Sequence, residues 1–289
     1  MDALQREYER FGPWVVPIAG MQDIPQQFLR YQELIGEAVF AFKIPINVER
    51  RNVKPGMPLY HTVVVFREDV LLLLQRTGKD VHATEIPYQE IQYLQYVGNV
   101  LVGEMLLGTA EQIHVLNFNP VETAPVEKGI GIIRKSYLQE GTRLNIDAID
   151  EHQQNNSLFY ENLIAQDFKG ENVRVVQYQP PVGLTKNRGK ALDPNVLAQE
   201  PVLQDSLFLT NGTELITINR REETKLPEKT DYGYRYTFIP AHKILGVTLE
   251  PDETNDLFQN FCFILKEAEV CLLVGPEFSV QKLKTILNI

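Results

Sequence analysis

"TEIPYQEIQYLQ" (residues 84–95) and "TFIPAHKILGVT" (residues 237–248) are one phrase written twice in the same chain. Each reads Ile-Pro, three residues, Ile, two residues, then an aliphatic. Proline has no N–H, so it cannot serve inside a hydrogen-bonded ladder. Ile86 and Ile91 are five apart, as are Ile239 and Ile244. In a straight strand an odd spacing sends two side chains to opposite faces. A bend at the proline returns both to one core. The phrase therefore predicts a strand, a kink, and a strand that turns a corner.

Matches on both sides extend the repeat, in the same order. "FLRYQELIGEAVFAFKIPIN" (28–47) pairs with "LFYENLIAQDFKGENVRVVQYQPP" (158–181), the shared Gly-Glu falling at Gly36-Glu37 and Gly170-Glu171. Each is an apolar helical stretch followed by an alternating strand. "TVVVFREDVLLLLQR" (62–76) pairs with "SLFLTNGTELITINR" (206–220), a strand, a polar turn and a strand. After the Ile-Pro phrase, "NVLVGEMLLGTAEQIHVLNF" (99–118) matches "NDLFQNFCFILKEAEVCLLVG" (255–275) as a hairpin. Each unit then ends in a helical run, about "EKGIGIIRKSYL" and "EFSVQKLKTILNI". In the last, Phe278, Leu283, Ile286 and Leu287 share a face, with Ser279 at the N-cap position.

Several strands, an Ile-Pro kink, a hairpin and a closing helix resemble the pleckstrin-homology-like superfold in its bacterial or GRAM-like variety. The resemblance rests on element order and on "EIPYQEIQYL" and "FIPAHKILGV", across about 30–140 and 158–289. It implies a mainly β protein of two repeated PH-like units. Each would be a bent sheet or barrel of about seven strands closed by a C-terminal α-helix. The expected organisation is an N-terminal extension over 1–27, a first domain over 28–150 and a second over 151–289, with "DEHQQNN" (150–156) as the boundary. The extension holds the one tryptophan, Trp14, between Pro13 and Pro17. It is expected to pack on the first domain or bridge the two.

The chain has 289 residues, enough for two cores. Apolar content of 44% and charged content of 23% are ordinary globular usage and argue against bulk disorder. No apolar run approaches the ~20 residues of a membrane helix. The charged start, "MDALQREYERFG", lacks a signal-peptide core, so a cytoplasmic location is the expectation. Net charge is −10 and neither half is basic, which disfavours broad nucleic-acid binding. Two cysteines, Cys262 and Cys271, lack zinc spacing. Counting outward from "KEAE" (266–269) places them on one face in diagonal opposition, and the expectation is two buried thiols rather than a disulfide.

Local chemistry is sparse. His61, His82, His114, His152 and His242 show no metal-ligand spacing, and no nucleophile elbow, P-loop or dinucleotide fingerprint is present. The expectation is a non-enzymatic protein with no cofactor and no metal, binding a protein partner or itself. An interdomain cleft enzyme is the weaker alternative.

One charge feature stands against the acidic background. Arg50, Arg51 and Lys54 follow the first strand of unit one; Lys186, Arg188 and Lys190 follow the first strand of unit two. In pleckstrin-homology domains that bind phosphoinositides, this hairpin carries the basic residues. The resemblance thus implies a candidate anion or lipid site, built on charge-assisted hydrogen bonds to phosphate oxygens. The plainer reading is that both clusters are solvated.

Overall fold

The structure, a computed structural model, describes residues 3–99, 102–138, 143–149, 157–183, 202–226, 233–253 and 257–289. The first half contains α1 (Ala3–Arg10), β1 (Val16–Pro17), α2 (Gln32–Gly36), β2 (Phe40–Pro45), β3 (Tyr60–Phe66), β4 (Val70–Thr77) and β5 (Asp80–Pro87). β6 (Tyr93–Gly98), β7 (Gly103–Gly108), β8 (Ile113–Phe118) and α3 (Ala124–Ser136) follow. The second half opens with α4 (Leu158–Asp167), β9 (Arg174–Gln179), β10 (Val182–Gly183), β11 (Val202–Leu203), β12 (Ser206–Thr210) and β13 (Glu214–Arg220). It continues with β14 (Thr224–Lys225), β15 (Tyr234–Pro240), β16 (Ile244–Pro251), β17 (Gln259–Leu265), β18 (Glu269–Val274) and α5 (Val280–Leu287).

One order therefore runs twice. A helix, four long strands, a kink, three strands and a closing helix recur in each half, α1 and β1 being additions of the first and the short β10, β11 and β14 of the second. The two kinks agree in detail. Pro87 ends β5 and Pro240 ends β15, with φ/ψ of −57°/132° and −59°/132°. A single 3-10 turn follows each, Tyr88–Glu90 and Ala241–Lys243. Ile239 and Ile244 do reach one hydrophobic cluster, as the proline bend requires.

The sheets are antiparallel, and among the described residues none closes into a barrel. Of the expected bent sheet or barrel of about seven strands in each half, the barrel form is not met. β1-β2-β3-β4-β5 form one sheet and β16-β17-β18 another. The three strands after the first kink are β6, β7 and β8. They extend the second half's sheet, giving β8-β7-β6-β15-β13-β12-β9. The join is β6 against β15, from Gly98 opposite Tyr234 to Leu94 opposite Phe238. The physical reason is an edge: a strand turned out of its first sheet by a kink presents unpaired N–H and C=O groups, and β15 meets them.

Two compact units result, and they do not divide at one chain position. The first comprises residues 1–91, 100–104 and 116–137; the second comprises 92–99, 105–115 and 138–289. In the first unit, β3 and β4 are apolar almost without interruption because both faces of the sheet are covered. One face packs on Phe11, Ile24, Phe28 and Ile35. The N-terminal extension is thus part of this core. The other face receives α3. A Cβ at Gly129 would lie 2.5 Å from Phe66 Cζ, so glycine lets the helix backbone approach the Phe42–Phe66 pair. In the second unit Phe208, Phe261, Phe263, Phe278, Leu283 and Ile286 form the centre of the core. Ser279 sits at the N-cap of α5 without a side-chain capping bond.

The cysteine register also needs correction. Leu265 N–H donates to Ala268 O, which closes a tighter turn than "KEAE" suggests. Ile264 then faces Glu269, and Cys262 faces Cys271 directly. The two form a disulfide instead of remaining as buried thiols.

Candidate functional site

A concave surface of the first unit lies beside α3. Its floor comes from β2. Phe40 and Phe42 alternate with Ala41 and Lys43, so the aromatic pair faces α3 and the other two face the N-terminal segment. One wall is the segment from Trp14 to Pro17, fixed by pairing of Val16 with Lys43 and Pro17 with Phe42. The indole lies over Gly12, where a Cβ would collide with it, so a side chain at position 12 requires the ring to shift. Glu122, Ala124, Pro125 and Lys128 make the second wall. Pro125 stands in the first turn of α3, where its missing N–H costs no helical bond.

The groove so formed has a volume of about 490 Å³. Trp14 is 42% exposed, and Val39 and Val121, beside the lining residues Phe40 and Glu122 in the chain, are 68% and 73% exposed. Lys128 Nζ rests 4.2 Å from the Phe40 ring centroid. This arrangement offers indole, phenyl and pyrrolidine surface with one ammonium and one carboxylate at the wall. Such a site takes apolar side chains and fixes their direction with charge. The second unit has a smaller hollow, about 260 Å³, beside α5, lined by Ile149, Val176, Ser279, Lys282 and Ile286 among others.

The basic cluster of the first half is placed elsewhere. Arg50 opens the 3-10 turn Arg50–Asn52 and donates to Tyr8 O at 2.5 Å, its guanidinium 4.6 Å from the Tyr8 ring centroid. Arg51 pairs with Glu49 on the surface. Lys54 is exposed. Two of the three cations are thus occupied by their own neighbourhood. Lys186, Arg188 and Lys190 lie outside the described residues.

A buried charge cluster escaped the sequence reading. Lys43 is 6% exposed, donates from Nζ to Asp23 O at 2.6 Å, and lies 4.4 Å from the Tyr60 ring centroid. Burial lowers the Lys43 pKa, with Glu7 and Asp23 opposing the shift. Burial raises the Glu7 carboxyl. It also pushes the Tyr60 hydroxyl up to about 12, Glu7 and Asp23 adding to the effect. The cluster ties α1 and the Asp23 turn to β2. A lysine inside "AFKIPIN" was the available signal, since strands of this pattern seldom bury a charge without a partner.

Among the described residues, the one His, Cys, Asp or Glu group tight enough for a metal is Cys262, Glu269 and Cys271. Its two sulfurs are bonded to each other. No described helix is long and apolar enough to cross a membrane. Compared with known proteins, the chain matches no family model and no curated protein.

Proposed function

We propose that this protein is a non-enzymatic interaction module of tandem pleckstrin-homology-like halves, and that it captures an apolar segment of a protein partner beside α3. Support for the tandem reading comes from the doubled element order with its matching Ile-Pro kinks. The observation that carries the binding reading is the Trp14–Phe40–Pro125 groove with Lys128 at its wall. Exposed tryptophan on a concave apolar surface is typical of residues that dominate protein contacts. The ladder edge at β1 does not serve the same end. Register alternation points Pro17 outward, and a proline there gives an incoming strand no N–H.

The chain supplies its own reporter, because Trp14 is its one tryptophan. Peptides of varied apolar and charged composition would be titrated against the full chain while Trp14 emission is followed. A saturable spectral shift, lost in Lys128→Glu or Phe40→Ala with the fold intact, supports the groove. Emission that no peptide moves overturns it. A parallel titration with anionic vesicles covers the runner-up. Salt-sensitive retention that disappears when Arg50, Arg51, Lys54, Lys186, Arg188 and Lys190 become Ala would transfer the function to the basic loops.

A further inference from the structure

We infer that the chain associates with a second copy of itself by laying β16 of one molecule along β5 of the other. The template lies within the chain. β6 pairs with β15 in the second unit. By the repeat, β16 is the counterpart of β6, and β5 is the counterpart of β15. β6 uses one edge for β7 and the other for β15; β16 uses one edge for β17. β15 uses one edge for β13 and the other for β6; β5 uses one edge for β4. Among the described residues, then, one of two equivalent pairings is made. Each strand of the missing one ends its sheet, with no described strand on the matching edge.

Two other edges are managed. Pro17 blunts β1. On β18, Leu273 N–H donates to Glu223 Oε1 at 3.3 Å, and just beyond it Gly275 N–H donates to Gln179 Oε1 at 2.8 Å. β5 and β16, eight residues each, have no proline before their last residue. A long strand edge left open in this way is a template for another chain.

The register of the existing join, carried over by the Ile-Pro alignment, specifies the new one. Gln95 opposite Thr237 becomes Thr248 opposite Thr84. In the existing join Gln95 Nε2 donates to Thr237 Oγ1 at 3.1 Å; two threonines opposite one another are likewise a favourable cross-strand pair. Val97 opposite Arg235 becomes Glu250 opposite His82, a carboxylate facing an imidazole. Tyr96 opposite Tyr236 becomes Leu249 opposite Ala83. At the end of the ladder Pro251 faces Val81. There the proline has no N–H to give, and Val81 O already accepts from the Arg30 guanidinium. The contact uses different strands on the two molecules, so it is head-to-tail, and each dimer retains one free β5 and one free β16 unless the geometry closes a ring.

The test uses full-length single variants, Thr84→Cys and Thr248→Cys, each with the native disulfide closed. Each alone and an equal mixture would be treated with a short thiol-specific bifunctional reagent. The mixture is expected to give a covalent 84–248 dimer identified by peptide mass spectrometry, and each variant alone none. His82→Glu, which sets two carboxylates opposite one another, should lower the yield several-fold, and Glu250→Arg in the partner should restore it. Mass measured by light scattering should rise with concentration in the wild type. A chain that stays monomeric at millimolar concentration, or links 84 to 84 or 248 to 248, overturns the pairing. No groove residue takes part, so Trp14 emission and the crosslink fail independently.

Discussion

β5 and β15 share Thr84/Thr237, Ile86/Ile239 and Pro87/Pro240 and end in the same kink, yet their surroundings differ. β15 is flanked on both sides, by β13 and β6, while β5 has β4 alone. Tyr236 and Phe238 of β15 are 4% and 5% exposed, and Phe168, at the end of α4, stands 6.1 and 6.4 Å from their rings. The equivalent positions on β5 are Ala83 and Glu85, both exposed. The two strands share a backbone course and a kink, while their side chains differ with what covers each. A repeat therefore fixes where a strand runs more firmly than what it touches.

The sharpest way to break this comparison is a matched pair of substitutions. Phe238→Ala removes a buried ring and should cost about 3–5 kcal/mol of stability. Glu85→Ala, at the equivalent site, should stay within about 0.5 kcal/mol. Urea unfolding followed by far-UV circular dichroism measures both, and equal losses would mean the two strands are not alternatives of one design.

Next in size is the disulfide. Cys262 and Cys271 close a short loop in the second-half hairpin. The corresponding hairpin, β7–β8, has no cysteine. Cys262→Ser/Cys271→Ser should destabilise the second unit by about 2–3 kcal/mol on the chain-entropy account. Hydrogen exchange should show the loss around β17 and β18 while β3 and β4 keep their protection.

A third prediction concerns pH. By the strand alignment, His61 and Asp205 occupy equivalent positions. Burial lowers the His61 pKa below 6.5, so the folded state favours neutral imidazole. Its contribution is complete above 6.5 and is lost as pH falls toward the lower folded value. Burial raises the Asp205 pKa above 3.8, against the pull of Arg220. That contribution is greatest below 3.8 and is lost as pH rises through the folded value. Denaturation midpoints against pH should flatten just below pH 6.5 in His61→Gln. Asp205→Asn should change the acid limb in the opposite sense.

The smallest expected effect is Arg51→Ala. Its pair with Glu49 is largely exposed, and such pairs contribute about 0–1 kcal/mol. A thermal midpoint close to wild type is the expected reading, whereas Arg50→Ala, which loses the Tyr8 contact, should shift it further.

Much of this architecture was legible in the sequence. Ile-Pro kinks, the "TVVVFREDVLLLLQR" hairpin and the closing helices all fall where periodicity and turn chemistry put them. The β6–β15 join was not legible. Residues 94–98 alternate well enough to pair with many strands, and nothing local distinguishes an intra-repeat partner from a distant one. The cysteine register failed for a smaller reason: moving the turn by one residue shifts the opposing partner by two. The groove was half visible. Trp14 and its prolines stood out, but Phe40 and Lys128 join them through tertiary contacts that no spacing records.

The join of Gln95 to Thr237 spans 142 residues of chain. During synthesis β6 leaves the ribosome before its partner strand β15 is translated. The five-stranded sheet of the first unit can form early from local hairpins, but the seven-stranded sheet must wait for β15. Such long-range pairing is slow and leaves an open edge while it waits. Slower translation between the two Ile-Pro phrases is expected to lengthen the time that edge stays open.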